Sequence, residues 1–218
     1  MTRYHHAALI GVTVVMVVTA TLLSMAQRNR LHASIVSISD ARFTTGSLIL
    51  VESSRHVHNH LTKLFTGFPI THMGVVFCDA VGEPFLFHTT RDTGAELVYL
   101  PTWLGSVVKK EHNRVLYRQV VTPVSSARME TALTPLLGKP YSFNLWKAVF
   151  LDKLRLELPM NEDEDGGLFC SQLVAAVLSH VQVTDFKRLG LSSAALVLPR
   201  HFLDPSLPYS PTLQFTTA

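Results

Sequence analysis

The pattern of apolar and polar positions predicts strands concentrated in the first half of the domain, with one short helix among them, and helices in the second half. Gly46-Ser-Leu-Ile-Leu-Val-Glu52 reads as a buried strand introduced by glycine. His72 to Asp79 and Pro84 to Thr90 are rich in β-branched and aromatic residues, and the short Ala80-Val-Gly-Glu83 segment between them signals a hairpin. Ala95 to Leu100 and Arg114 to Val121 extend the same antiparallel sheet. Helical periodicity is expected in four places. His56 to Phe65 carries Val57, Leu61, Leu64 and Phe65 on one stripe and is closed by Gly67 and Pro69. Ser125 to Leu137 is helical until Gly138-Lys-Pro-Tyr141 breaks the pattern, and Asn144 to Leu156 resumes it with Trp146 and Phe150 on one face. The last helix opens at Cys170 and runs to about Val181, after an acidic loop from Asn161 to Gly167. A proline-containing tail from Leu198 closes the domain, and Leu31 to Phe43 reads as a polar linker ahead of it.

One segment stands outside this pattern. Ala7 to Met25 is uncharged and mostly apolar, flanked by Arg3, His5 and His6 on one side and Arg28 and Arg30 on the other. A helix of about 20 apolar residues crosses a hydrocarbon core, so residues 7–25 are expected to form an N-terminal transmembrane helix, making the protein a single-pass membrane protein. A cleaved signal peptide, with secretion, is the alternative, because Ser24 and Ala26 supply small residues at the positions a signal peptidase reads. The expected organisation is an anchor or signal segment over residues 1–30 and one globular domain over 40–205.

Composition narrows the function classes. The 218 residues are 47% hydrophobic and 16% charged, enough for one well-buried core. A formal charge of +3 spread along the chain gives no basic block, which argues against nucleic acid as a partner. Two cysteines, Cys78 and Cys170, cannot make a disulfide framework, and no cysteine and histidine spacing matches a structural zinc site. No metal or other cofactor is implied.

Cys170 carries the strongest chemical signal. Gly166-Gly-Leu-Phe-Cys-Ser-Gln-Leu-Val places it at the start of the last helix. Unpaired N–H groups and the helix dipole there favour the nucleophilic thiolate, although a free cysteine is equally at home as a small apolar core residue. A nucleophilic thiol needs a base, and the base needs a third group to hold its ring. His72 opens one strand of the hairpin and His88 lies across it, close enough in level for contact if the turn centres near Val81 and Gly82.

Taken together, Gly46-Ser-Leu-Ile-Leu, Thr71-His-Met-Gly-Val-Val, Phe85-Leu-Phe-His, Gly138-Lys-Pro-Tyr-Ser-Phe and Phe169-Cys-Ser-Gln-Leu-Val resemble the circularly permuted NlpC-type, papain-like thiol enzymes. That group includes bacterial and poxviral members and the lecithin-retinol acyltransferase relatives. The resemblance covers roughly residues 44 to 205, and chain order is part of it: permuted members have the histidine strand first and the cysteine helix near the end. It implies an α+β, circularly permuted papain-like (NlpC-type) fold with an antiparallel sheet packed against the cysteine-bearing helix. It also implies Cys170 as nucleophile, His72 as general base and His88 as the group that orients His72. In many permuted relatives the third position is acidic; a histidine there matches the acyltransferase branch. Gly46-Ser47 stands where such families often show Gly-Asp. Tyr141 matches a recurrent tyrosine and is expected to line the substrate or oxyanion site, with a core position as the alternative.

Three functions follow from this reading. The first is a membrane-anchored thiol hydrolase, a peptidase or amidase that cleaves an amide bond through a thioester. The second is a thiol acyltransferase or lipid hydrolase, and the third a non-catalytic binding domain on the same fold. The substrate is accordingly a peptide, another amide or a lipid. His56, His58 and His60 alternate in a way that suits a metal, but no carboxylate or cysteine completes the set. Glu162-Asp-Glu-Asp165 lacks the alternating ligands and glycine of a calcium loop and reads as a solvated segment.

Overall fold

The computed structural model describes residues 33–53, 68–110, 113–142, 166–191 and 196–216. Among these residues seven strands form one sheet: β1 (Ser34–Ser37), β2 (Leu48–Ser53), β3 (Ile70–Cys78), β4 (Pro84–Thr90), β5 (Gly94–Tyr99), β6 (Asn113–Arg118) and β7 (Leu213–Thr216). Among the described residues three α-helices accompany them: α1 (Leu100–Val108), α2 (Ser126–Leu133) and α3 (Cys170–His180). The strand order is β1-β7-β6-β2-β3-β4-β5. Every neighbouring pair is antiparallel except β1 with β7, which is parallel.

The class is α+β, but two parts of the expected architecture need correction. The sheet is mixed rather than antiparallel, because Ser34–Ser37 pairs in parallel with Leu213–Thr216. The segment expected to be a polar linker thus contributes β1 and a short 3-10 turn over Ile38–Asp40. Its apolar run is only Ile35 and Val36, too brief to register as a strand, and its partner lies at the other end of the chain. The second correction concerns the membrane. Among the described residues no helix is long and apolar enough to cross one. The longest, α3, has 11 residues where a span needs about 20. The single-pass placement is therefore withdrawn, and Ala7–Met25, on which it rested, lies outside the described residues. So do the helices expected over His56–Phe65 and Asn144–Leu156 and the Glu162–Asp165 run.

Period-two alternation sorts the sheet into two packed faces. Leu48, Leu50, Met73, Val75, Phe77 and Phe87 point to the side covered by α3 and α2, where they meet Leu173, Val174, Val177 and Met129. Ile49, Val76, Leu86, Val115 and Tyr117 point the other way and meet Leu100 and Leu104 of α1. Helix α1 was not anticipated, although Pro101 at its first turn and the buried pair Leu100 and Leu104 one turn apart are its sequence signature. Helix α2 runs into a 3-10 turn over Thr134–Leu136, and Gly138, at φ +75°, ends the segment where helical periodicity was expected to stop.

Candidate functional site

The site is built where β3, β4 and β5 approach the start of α3. In β3 the pairing with β2 slips at one point: Val51 faces His72 but Glu52 faces Ile70, leaving Thr71 as the extra residue of a β-bulge. The bulge immediately precedes His72. Two residues further on, Gly74 packs so tightly that a Cβ there would lie 2.7 Å from Leu86 Cδ1, 2.8 Å from the Phe87 carbonyl oxygen and 3.0 Å from His88 Cβ. The absence of a side chain at Gly74 lets the His72 and His88 rings meet diagonally. His72 Nε2 is 2.9 Å from His88 Nδ1, with the rings edge to face at 77°.

Trp103 of α1 packs against both rings, with centroids 6.4 Å from His72 and 5.7 Å from His88. The histidine pair thus sits on the α1 side of the sheet. His88 is buried, 3% exposed, and His72 is partly buried. Burial, with the neighbouring His88 charge, lowers the pKa of His72 to about 3. Burial lowers His88 to about 4. Both imidazoles are neutral near pH 7.

Sequence reasoning missed Glu96. It is directly opposite His88 in the β4–β5 register, and its Oε1 is 3.5 Å from His88 Nε2. The missing signal was the turn: pairing of Thr90 with Gly94 fixes His88 against Glu96, and that register was not assigned from the sequence.

Cys170 stands at the first turn of α3, on the α3 side of the sheet. The entry to the helix is firmly held. Gln172 Oε1 accepts the Phe169 N–H at 3.2 Å, and Ser171 Oγ donates to the Val197 carbonyl at 2.6 Å. The thiol is 6% exposed, and burial pushes its pKa up to about 11. Backbone N–H groups of Met73, Ser171 and Cys170 itself pull the other way. Desolvation outweighs these donors, so the thiol is held above its ordinary value, where the helix start was expected to favour the thiolate. Contact with the Met73 amide brings the thiol to the strand residue adjoining His72. Among the described residues no hydrogen bond joins the thiol to either imidazole; the structure brings His72 and His88 together and sets Cys170 against the Met73 amide on the same stretch of β3.

Tyr141 reaches this region through backbone pairing. Gly138 N donates to Ala95 O and Ala95 N to Lys139 O, both at 2.8 Å, while Leu168 N donates to Pro140 O at 3.0 Å. The tyrosine segment is thereby laced between β5 and the residues entering α3. Burial and the nearby Cys170 raise the Tyr141 hydroxyl to about 12, with Arg91 acting in the opposite sense. Cys78 is half-buried near Phe43, its Sγ 3.7 Å from that residue's carbonyl oxygen. Among the described residues no cluster of three or more metal-ligating side chains is present.

No family model matches the chain, and no curated protein matches it. Among solved structures it is similar to one described as the metalloprotein YiiX, DUF1105, from Escherichia coli O157:H7, at 18% identity and a TM-score of 0.48. The match covers 79% of this chain and 89% of that one.

Proposed function

We propose that the protein is a cysteine hydrolase that cleaves an amide bond, with Cys170 as nucleophile, His72 as general base and His88 as the group that positions His72. The observation that carries this reading is the 2.9 Å contact between His72 Nε2 and His88 Nδ1, next to the residue whose amide reaches the Cys170 sulfur. In the tautomer where His72 Nε2 donates to His88 Nδ1, His72 Nδ1 keeps the lone pair that takes the thiol proton. That division of labour is what a cysteine and histidine pair with an orienting third group requires.

In the resting site the sulfur keeps its proton and His72 is neutral, so the base is in its accepting form. As the sulfur attacks the carbonyl carbon, its proton passes to His72 by way of a bridging water, because thiol and imidazole are not in direct contact, and the carbonyl oxygen gains the charge. The Cys170 N–H at the start of α3 is assigned to receive that charge. Collapse expels the amine, which takes the proton from His72 and leaves a thioester. Water then attacks, giving up a proton to His72, and the acid and free thiol are regenerated. Tyr141 lies beside this path and is assigned to substrate contact.

A second reading has one observation in its favour. The group touching His72 is a histidine rather than a carboxylate, the pattern of the acyltransferase relatives. The two readings separate on substrate. The full chain is incubated with a labelled peptide amide or with a labelled phospholipid, and the acyl-enzyme is trapped and mapped. Label on Cys170 from the peptide, absent in Cys170→Ala, supports the hydrolase. Label from phospholipid alone replaces it with the lipid reading, and no label from either moves the protein to the binding-domain reading.

A further inference from the structure

Resting on that reading of the site, we infer that Glu96 is a positioning residue that fixes which nitrogen of His72 is free to accept a proton. The argument is one of hydrogen bookkeeping along three side chains. Glu96 Oε1 lies 3.5 Å from His88 Nε2, on the residue directly opposite in the β4–β5 ladder. Among the described residues His88 Nε2 is buried and has no hydrogen-bond partner at normal length, so this carboxylate is the acceptor facing it. A carboxylate can only be served by an N–H. His88 therefore holds its single ring proton on Nε2, and its Nδ1 is a lone pair.

That lone pair is 2.9 Å from His72 Nε2, which must then supply the hydrogen. His72 is left with its lone pair on Nδ1. Reversing any link breaks the chain: a proton on His88 Nδ1 would set a lone pair against the Glu96 carboxylate and turn His72 Nε2 into the acceptor. His72 would then hold its proton on Nδ1 and could not take another there. One carboxylate at the edge strand thus propagates a choice of tautomer across two strands. Its charge also faces the pair from the far side when His72 becomes cationic. No proton needs to leave either histidine toward Glu96 for this to operate.

The effect resembles that of the outer group that holds a metal-bound imidazole in one orientation, where loss of the partner costs about 10- to 100-fold. The direct test does not depend on activity. The full-length protein is labelled with ¹⁵N-histidine, and long-range ¹H–¹⁵N correlation spectra at neutral pH report the protonated nitrogen of each ring. Nε2–H on both His72 and His88 is expected. Nδ1–H on either residue in the unaltered protein overturns the inference, and this measurement requires no variant to fold. In Glu96→Ala the His88 signal should shift toward a mixture of tautomers, while Glu96→Gln, whose amide oxygen still accepts, should restore Nε2–H. Unchanged tautomers in a folded Glu96→Ala also overturn it. Acylation of Cys170 is scored separately, so failure of the hydrolase reading leaves the tautomer result standing and the reverse holds too.

Discussion

His72 and His88 touch across a missing side chain: their ring nitrogens are 2.9 Å apart because the residue between them in space, Gly74, has no Cβ to hold the strands' side chains apart. Neither histidine directly opposes the other in the ladder, which at this end pairs Val75 with Phe87. The contact is the diagonal one that long or planar side chains can make between antiparallel strands.

Gly74→Ala should therefore act on both fold and site. A methyl group would lie 2.8 Å from the Phe87 carbonyl oxygen, a backbone atom that cannot swing aside. Overpacking of this kind costs about 1–3 kcal/mol. Urea unfolding should show a lowered midpoint, and the surviving folded protein should acylate Cys170 more slowly. A midpoint equal to that of the unaltered protein would mean that the strands have room to separate.

Removal of the two histidines should have unequal effects. His72→Ala removes the proton acceptor and is expected to lower acylation of Cys170 by about 10²–10⁴-fold. His88→Ala leaves the acceptor but loosens its orientation, and a loss of about 10- to 100-fold is expected. Single-turnover rates with the same labelled substrate compare them. Equal losses would show that the two rings act as one unit.

The thiol should titrate late. Burial holds Cys170 near 11, so alkylation by a small neutral reagent in the substrate-free protein should be slow at pH 7 and rise about tenfold per pH unit through pH 9. A rate already at plateau below pH 7 would reveal a resting thiolate and imidazolium pair instead.

Acid should unfold the protein through these histidines. Their folded-state values are lowered to about 3 and about 4 from an ordinary 6.5, so between those limits the unfolded chain binds more protons. Stability is therefore undiminished by this linkage above pH 6.5 and declines as pH falls toward 3. His72→Gln should make the decline shallower by up to about one proton's worth of slope. Urea midpoints measured from pH 7 to pH 4 for both proteins give that slope.

The hairpin, the breaking of the helical pattern at Gly138 and the cysteine helix were legible because each depends on neighbours in the chain. Alternating apolar residues define β3 and β4, and the glycine pair before Phe169 announces α3. What escaped depends on partners far apart. Ser34–Ser37 becomes a strand only because Leu213–Thr216 lies beside it, and its polar ends conceal it in isolation. Glu96 escaped for a different reason: its role follows from a register, and a shift of one residue would have turned it to the other face. Burial of Cys170 is one of the two readings its motif allows, but the consequence for ionisation depends on what surrounds the helix end. That environment is assembled from β3 and the segment around Tyr141, and is not encoded in the motif.

The parallel seam between β1 and β7 has a consequence for the order of assembly. The histidines and Glu96 belong to consecutive antiparallel strands closed by short turns, whereas the seam at the far edge joins segments from the two ends of the described chain. Closing that long loop carries the greater entropic cost and gains only two four-residue strands. The β3–β5 meander is thus expected to form early and the seam last. It should also be the first part to open, exchanging its amide hydrogens while those around His88 remain protected.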